Sequence, residues 1–254
     1  MTKKSTRSLQ PLKILLGVFG LVVLGIVGYG LTTVMTAAPD GEFVPGKHYV
    51  VIDEPRRVRG DQVEVMEFFS YGCIHCFNFD PLLDDWLEDR GTTINFVRSP
   101  TVAGELWRML GQTYFTMQEL QLLDAGHSRF FAEIHTLGRG FSSTEEIADW
   151  FDGKGTTREQ FLTAFNSSNV QRRVASADSI ARQMKVISIP SVVVNGKYLV
   201  SVNREVGPKR MLEVIDYLVA QEIAARVVAV GGGYRGKRGF GWVGLGGVKG
   251  LAGS

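Results

Sequence analysis

Apolar positions along this chain are spaced in several distinct ways, and each spacing predicts a different element. Ile14 to Met35 is an uncharged, mostly apolar run of 22 residues, long enough to cross a bilayer as a helix. His48 to Ile52 and Gln62 to Phe69 are short runs rich in β-branched and aromatic residues, which predict strands. The second is the clearer, with Val63, Val65 and the Phe68-Phe69 pair. Phe77 to Asp89 shifts to helical spacing, predicting a helix that buries Phe77, Leu82, Leu83, Trp86 and Leu87 and stops at Gly91. Pro81 falls inside it, where it removes a backbone donor and predicts a packing kink. Thr92 to Val97 reads as another strand, and from about Leu106 to Met184 the periodicity is helical. Within that block Ser142-Ser143-Thr144 and Asn166-Ser167-Ser168 read as caps or turns, and Ser143 to Glu146 as a helix start. Ser191 to Val194 and Lys197 to Val200 flank Asn195-Gly196, a strong hairpin signal. Pro208 to Ala225 predicts a closing helix with Met211, Leu212, Val214, Ile215 and Leu218 on its buried side.

Charge divides the chain further. The net charge of +2 conceals +4 in residues 1–13, from Lys3, Lys4, Arg7 and Lys13, and +5 in residues 223–254. The remainder is therefore acidic, at −7, and carries no basic aromatic stripe, which argues against nucleic-acid binding. Basic residues before Ile14 point the N-terminus to the cytoplasm and the rest outward. The competing interpretation is a cleaved signal peptide ending near Thr36-Ala37-Ala38; the run exceeds a usual signal core of roughly 7–15 residues, which favours a retained anchor. Either way the body is exported, to a compartment where disulfides persist. Residues 36–46, with Pro39, Gly41, Pro45 and Gly46, read as a linker. Residues 227–254 hold 11 glycines, no acid and no core-forming period, and are expected to be a disordered tail or a translated frameshift scar.

The chain has only two cysteines, in Cys73-Ile74-His75-Cys76, between a predicted strand and a predicted helix. No long-range disulfide can staple the fold, so the sulfurs are free for chemistry. A Cys-x-x-Cys at a strand-to-helix junction is a thioredoxin-type redox site. Helix N-terminal amides and the dipole stabilise a thiolate at the first cysteine, and an imidazolium at His75 lowers its pKa further. The bland alternatives are a structural disulfide or half a zinc site for the cysteines, and a solvated surface histidine for His75. A zinc site normally needs four ligands, and no second cysteine pair exists. With this site, the order strand, helix, strand, helical block, hairpin, helix predicts an α/β thioredoxin fold over residues 47–226. A helical domain is inserted at about 100–186, and the N-terminal membrane helix precedes the whole.

The segments Glu67 to Cys76 and Ile189 to Tyr198, in this order and with the helical stretch between them, resemble the bacterial DsbA family. The likeness covers about residues 40–222. The resemblance implies a cis Ile189-Pro190 bond facing the cysteines and docking substrate, and a helical domain capping the site. It implies a glutamate at position 67 that, if buried near the sulfurs, takes the proton of Cys76; the alternative is a surface carboxylate. It also implies periplasmic oxidation of reduced exported proteins by dithiol–disulfide exchange, with no metal or organic cofactor, and electrons passing to a quinone-linked, DsbB-like membrane oxidase. Ile74 departs from the proline common in the family, so the redox potential is expected to differ. Rival functions are a reductase or isomerase on the same fold, or a peptide-binding chaperone module with incidental thiols. Isomerases usually carry a dimerisation domain ahead of the redox domain, and the 37 residues between Met35 and Cys73 are too few for one.

Overall fold

The computed structural model describes residues 43–90 and 93–232. The apolar run 14–35, most of the linker and the glycine-rich segment beyond Gly232 lie outside the described residues. Among the described residues no helix is long and apolar enough to cross a membrane.

The first half contains β1 (Val50–Val51), β2 (Val63–Phe69), α1 (Ile74–Arg90) and β3 (Ile94–Pro100). Helices α2 (Glu105–Glu119), α3 (Leu123–His135), α4 (Thr144–Phe151), α5 (Arg158–Phe165) and α6 (Ser168–Gln183) follow. The second half is β4 (Ser191–Val194), β5 (Tyr198–Ser201) and α7 (Pro208–Gly232). The sheet runs β1-β5-β4-β2-β3, with β2 parallel to β3 and the other pairs antiparallel. A helix joins the parallel pair and a tight turn joins the antiparallel hairpin, as strand geometry requires. In that turn Asn195 and Gly196 both have positive φ, 51° and 67°. A Cβ on Gly196 would meet the Arg56 carbonyl oxygen at 2.3 Å, so glycine is required there twice over.

Among the described residues three apolar clusters hold the fold. Val63 and Val65 of β2 pack with Phe79, Leu83 and Trp86 of α1 and Met211, Val214, Ile215 and Leu218 of α7 on one sheet face. On the other face Met66, Phe68, Val193 and Leu199 meet Met184 and Ile180 at the end of α6. The third cluster fills the helical domain and includes Phe69, Tyr71 and Cys76, so the redox motif sits where the insertion meets the sheet. Ser143 and Ser167 cap α4 and α6 as expected, each accepting a backbone N–H. Thr157 and Gln160 add a reciprocal capping box on α5.

Several boundaries differ from those read in the sequence. Helix α1 starts at Ile74, three residues before the expected Phe77, and its buried residues are Cys76, Phe79, Asp80, Leu83 and Trp86. The expected Phe77, Leu82 and Leu87 are only half-buried. The buried stripe is the Cys76-Phe79-Leu83 row, which packing against β2 and α7 selects, and it includes a charged residue, Asp80, that polar partners compensate. Strand β3 runs on to Pro100 because its parallel register with β2 continues to the Phe69–Pro100 pair. Lys197 belongs to the turn and not to β5. Helix α7 extends past Ala225 to Gly232, so the first residues of the expected disordered tail are helical.

Candidate active site

Strand β2 ends at Phe69, and the chain turns through Ser70-Tyr71-Gly72 before α1 begins. The Cys73 amide donates to the Ser70 carbonyl at 3.0 Å, and Phe77 N–H to the Cys73 carbonyl at 3.1 Å. Cys73 thus occupies the cap position of α1. Its sulfur accepts the Cys76 N–H at 3.4 Å, as a capping hydroxyl would. No acidic residue lies in the first turn of α1 to oppose negative charge there. Opposite, the Ile189–Pro190 bond is cis and the Ile189 carbonyl oxygen lies 3.9 Å from Cys73 Sγ. Gly72 makes room for Trp107: a Cβ at position 72 would meet the indole nitrogen at 3.1 Å.

The two sulfurs differ sharply. Both are free thiols; Cys73 is half-buried and Cys76 fully buried. The Cys73 thiol is pulled down to about 6, first by the hydrogen bond from the Cys76 thiol, against the effect of burial, then by the Cys76 and His75 amides and the His75 charge. The Cys76 thiol is pushed far up by that same hydrogen bond, by burial and by the neighbouring Cys73 charge. His75 is exposed, and its charge contributes less than the Cys76 thiol and the two amides.

Glu67 lies on the same face of β2 as Val65 and Phe69 and is 1% exposed, which removes the surface-carboxylate alternative. Burial raises its carboxyl to about 7, against the pull of the Arg98 charge. It also acts electrostatically on Cys76, raising the thiol further.

Sequence alone missed the polar cluster behind this carboxyl. Arg98 of β3 donates to Glu67 at 3.0 Å, Asp80 at 3.1 Å and Asp84 at 2.6 Å. Burial disfavours the Asp80 charge, but the hydrogen bond from His127 and the Arg98 charge outweigh it and lower its pKa. Burial lowers His127 and favours its neutral form. Its Nε2 then donates to Asp80 at 3.1 Å, and its Nδ1 accepts from the Tyr71 hydroxyl at 2.6 Å. His135 Nε2 donates to the Tyr71 carbonyl at 2.8 Å. Tyr71, two residues before Cys73, is therefore held at both ends by α3. Asp80 was the available signal: a carboxylate on the apolar stripe of α1 needs buried partners.

Residues 85–213 match the family model described as a DSBA-like thioredoxin domain. The thiol:disulfide interchange protein DsbA of Pseudomonas aeruginosa is 34% identical over 190 residues, covering 74% of this chain and 90% of the relative. The protein of the same name from Azotobacter vinelandii is 30% identical over 210 residues, covering 82% and 98%. The crystal structure of Pseudomonas aeruginosa DsbA superposes with a TM-score of 0.70 at 33% identity, over 74% of this chain and 98% of that one. A Cys-x-x-Cys at a helix start, a cis proline across from it and these matches agree: the chain belongs to the DsbA family and is a thiol:disulfide oxidoreductase.

Proposed function

We propose that this chain oxidises dithiols of exported proteins, with Cys73 as the sulfur that substrates attack. The asymmetry of the two cysteines carries this assignment: the half-buried Cys73 favours thiolate, while the buried Cys76 favours thiol. A substrate thiolate attacks Cys73 Sγ of the Cys73–Cys76 disulfide, forming a mixed disulfide and releasing Cys76 as a thiolate. Cys76 is sealed from solvent, and Glu67, neutral in part near pH 7, is the neighbouring acid that supplies its proton in this half-reaction and takes it back when the disulfide is re-formed. The second substrate thiolate then attacks the substrate sulfur of the mixed disulfide. Cys73 leaves as a stabilised thiolate, and two electrons have moved from substrate to enzyme. The Ile189 carbonyl and Pro190 form the edge beside Cys73 on which an extended substrate backbone docks. His75 assists by its positive charge.

The site of action is the periplasm, with residues 14–35 anchoring the enzyme to the inner membrane and a quinone-linked, DsbB-like oxidase restoring the disulfide. Lys3, Lys4, Arg7 and Lys13 ahead of that uncharged run support the orientation. Cleavage of the run as a signal peptide would give a soluble enzyme with the same chemistry. The Cys76→Ser variant should accumulate a mixed disulfide with a reduced substrate through Cys73. An adduct on Cys76 in Cys73→Ser, with none on Cys73 in Cys76→Ser, refutes the assignment.

A further inference from the structure

The later turns of α7 turn an uncharged face to solvent. Glu222 and Arg226, one turn apart, face the body of the protein: Glu222 accepts from Asn195 and Lys197, and Arg226 donates to the Asp61 carbonyl and to Asn195. At about 3.6 residues per turn, Ala220, Ile223, Ala224, Val227 and Val228 fall on the other side of the helix. All five are exposed, Val227 and Val228 by 67% and 74%. A contiguous apolar face standing this free marks a contact surface more than a packing position.

We propose that this end of α7, with the basic segment that follows it in the sequence, docks on an anionic lipid bilayer. Charge complementarity carries it. Glu222 is the last acid of the chain, and Arg226, Arg235, Lys237, Arg238 and Lys249 come after it. Tyr234 and Trp242 lie among them, the two residue types that settle at the headgroup level of a membrane. An apolar helical face joined to basic residues binds a bilayer by burying the face at the headgroup boundary while the cations meet anionic headgroups. A second copy of the chain would bring the same cations against one another. The lipid contact rests on α7 and the residues after it, not on the reading of residues 14–35 as an anchor, but the two are compatible. Phe43 packs on Tyr217 of α7 with ring centroids 5.4 Å apart, and Val228 lies about 16 Å farther along the helix. The chain from Met35 to Phe43 spans up to about 28 Å, so anchor and helix end reach the same membrane. The docked pole lies opposite the redox site. Asp61, held by Arg226, precedes β2, and Cys73 follows the far end of that strand, about 20 Å away at the usual strand rise. Docking therefore leaves Cys73 open to reduced chains, and an attachment that salt screens releases readily for the return to a membrane oxidase.

The test reconstitutes the full chain in nanodiscs of phosphatidylcholine, alone or with about one third phosphatidylglycerol, and follows trypsin cleavage after Arg235, Lys237 and Arg238. Cleavage should be about tenfold slower on the anionic discs, and about 0.5 M salt should abolish the difference. Cleavage after Arg139, in an exposed turn of the helical domain, corrects for any effect of the lipid on trypsin itself. The double variant Ile223→Ser, Val227→Ser, at exposed positions away from the cysteines, should leave peptide oxidation unchanged and lose most of the protection. Equal cleavage on the two lipids, or protection on anionic discs that survives the double substitution, overturns the proposal. Protection that grows with protein concentration on either lipid assigns the face to a second copy and overturns it too. If residues 14–35 prove to be cleaved, the soluble chain is mixed with vesicles of the same two compositions and the same outcomes decide, so that failure of the anchor is seen separately from failure of the lipid contact.

Discussion

Deleting the Cys76 thiol while keeping its backbone amide separates two ways in which this residue stabilises the Cys73 thiolate. The S–H hydrogen bond is the largest influence bringing Cys73 down to about 6, ahead of the amides and the His75 charge. Cys76→Ala removes the first and leaves the others. A hydrogen bond to a charged acceptor is worth about 1.5–3 kcal/mol, and solvent screening at half-buried Cys73 places this one at or below the lower end. At about 1.4 kcal/mol per pKa unit, the Cys73 pKa should rise by about one unit. At pH 6 the thiolate fraction then falls from about one half to about one tenth, and alkylation of Cys73 slows about fivefold. Thiolate absorbance in the far ultraviolet, followed against pH in the reduced protein, reads the shift directly. A variant titrating at or below the wild-type midpoint would refute the reasoning and give the helix amides the leading role. The sign extends to stability. Because the folded pKa is depressed, the thiolate's stabilisation of the reduced fold is full above the ordinary value of 9.0 and is lost as pH falls through about 6.

His75→Ser should raise the Cys73 pKa by less than Cys76→Ala does and make the protein slightly less oxidising in equilibrium with glutathione; an equal or larger shift would give the leading role to the imidazolium. Glu67 has a raised folded pKa, so its favourable contribution is full below about 4.5 and is lost as pH rises through about 7. Glu67→Gln should therefore raise Tm more at pH 8 than at pH 4, and equal shifts at the two pH values would count against a buried, neutral-favouring carboxyl. The same variant should slow peptide oxidation at neutral pH, seen in single-turnover kinetics, if Glu67 supplies the Cys76 proton. N-terminal sequencing of fractionated protein should find the mature chain in the membrane with residues 14–35 intact; a soluble form starting near Ala38 or Pro39 would identify that run as a signal peptide.

What the sequence determined by itself was local. Hydrophobic spacing marked the main strands and the closing helix, Ser143 and Ser167 marked caps, and Asn195-Gly196 marked a turn. Each depends on a few consecutive residues and their backbone preferences, which any chain carries on its face. The redox motif was legible for the same reason, since both sulfurs and the helix start lie within four residues. The phase of α1 was less legible, because Asp80 counts as a surface residue until Arg98 and His127 are known to meet it. Likewise Glu67 had no visible burial, and Tyr71 no visible partners. Only the tertiary structure decided these, by bringing β2, β3, α1 and α3 against one another around a single guanidinium. A charge stays inside a protein only where opposite charges and hydrogen bonds replace the water it has lost, and those partners come from segments far apart in the sequence.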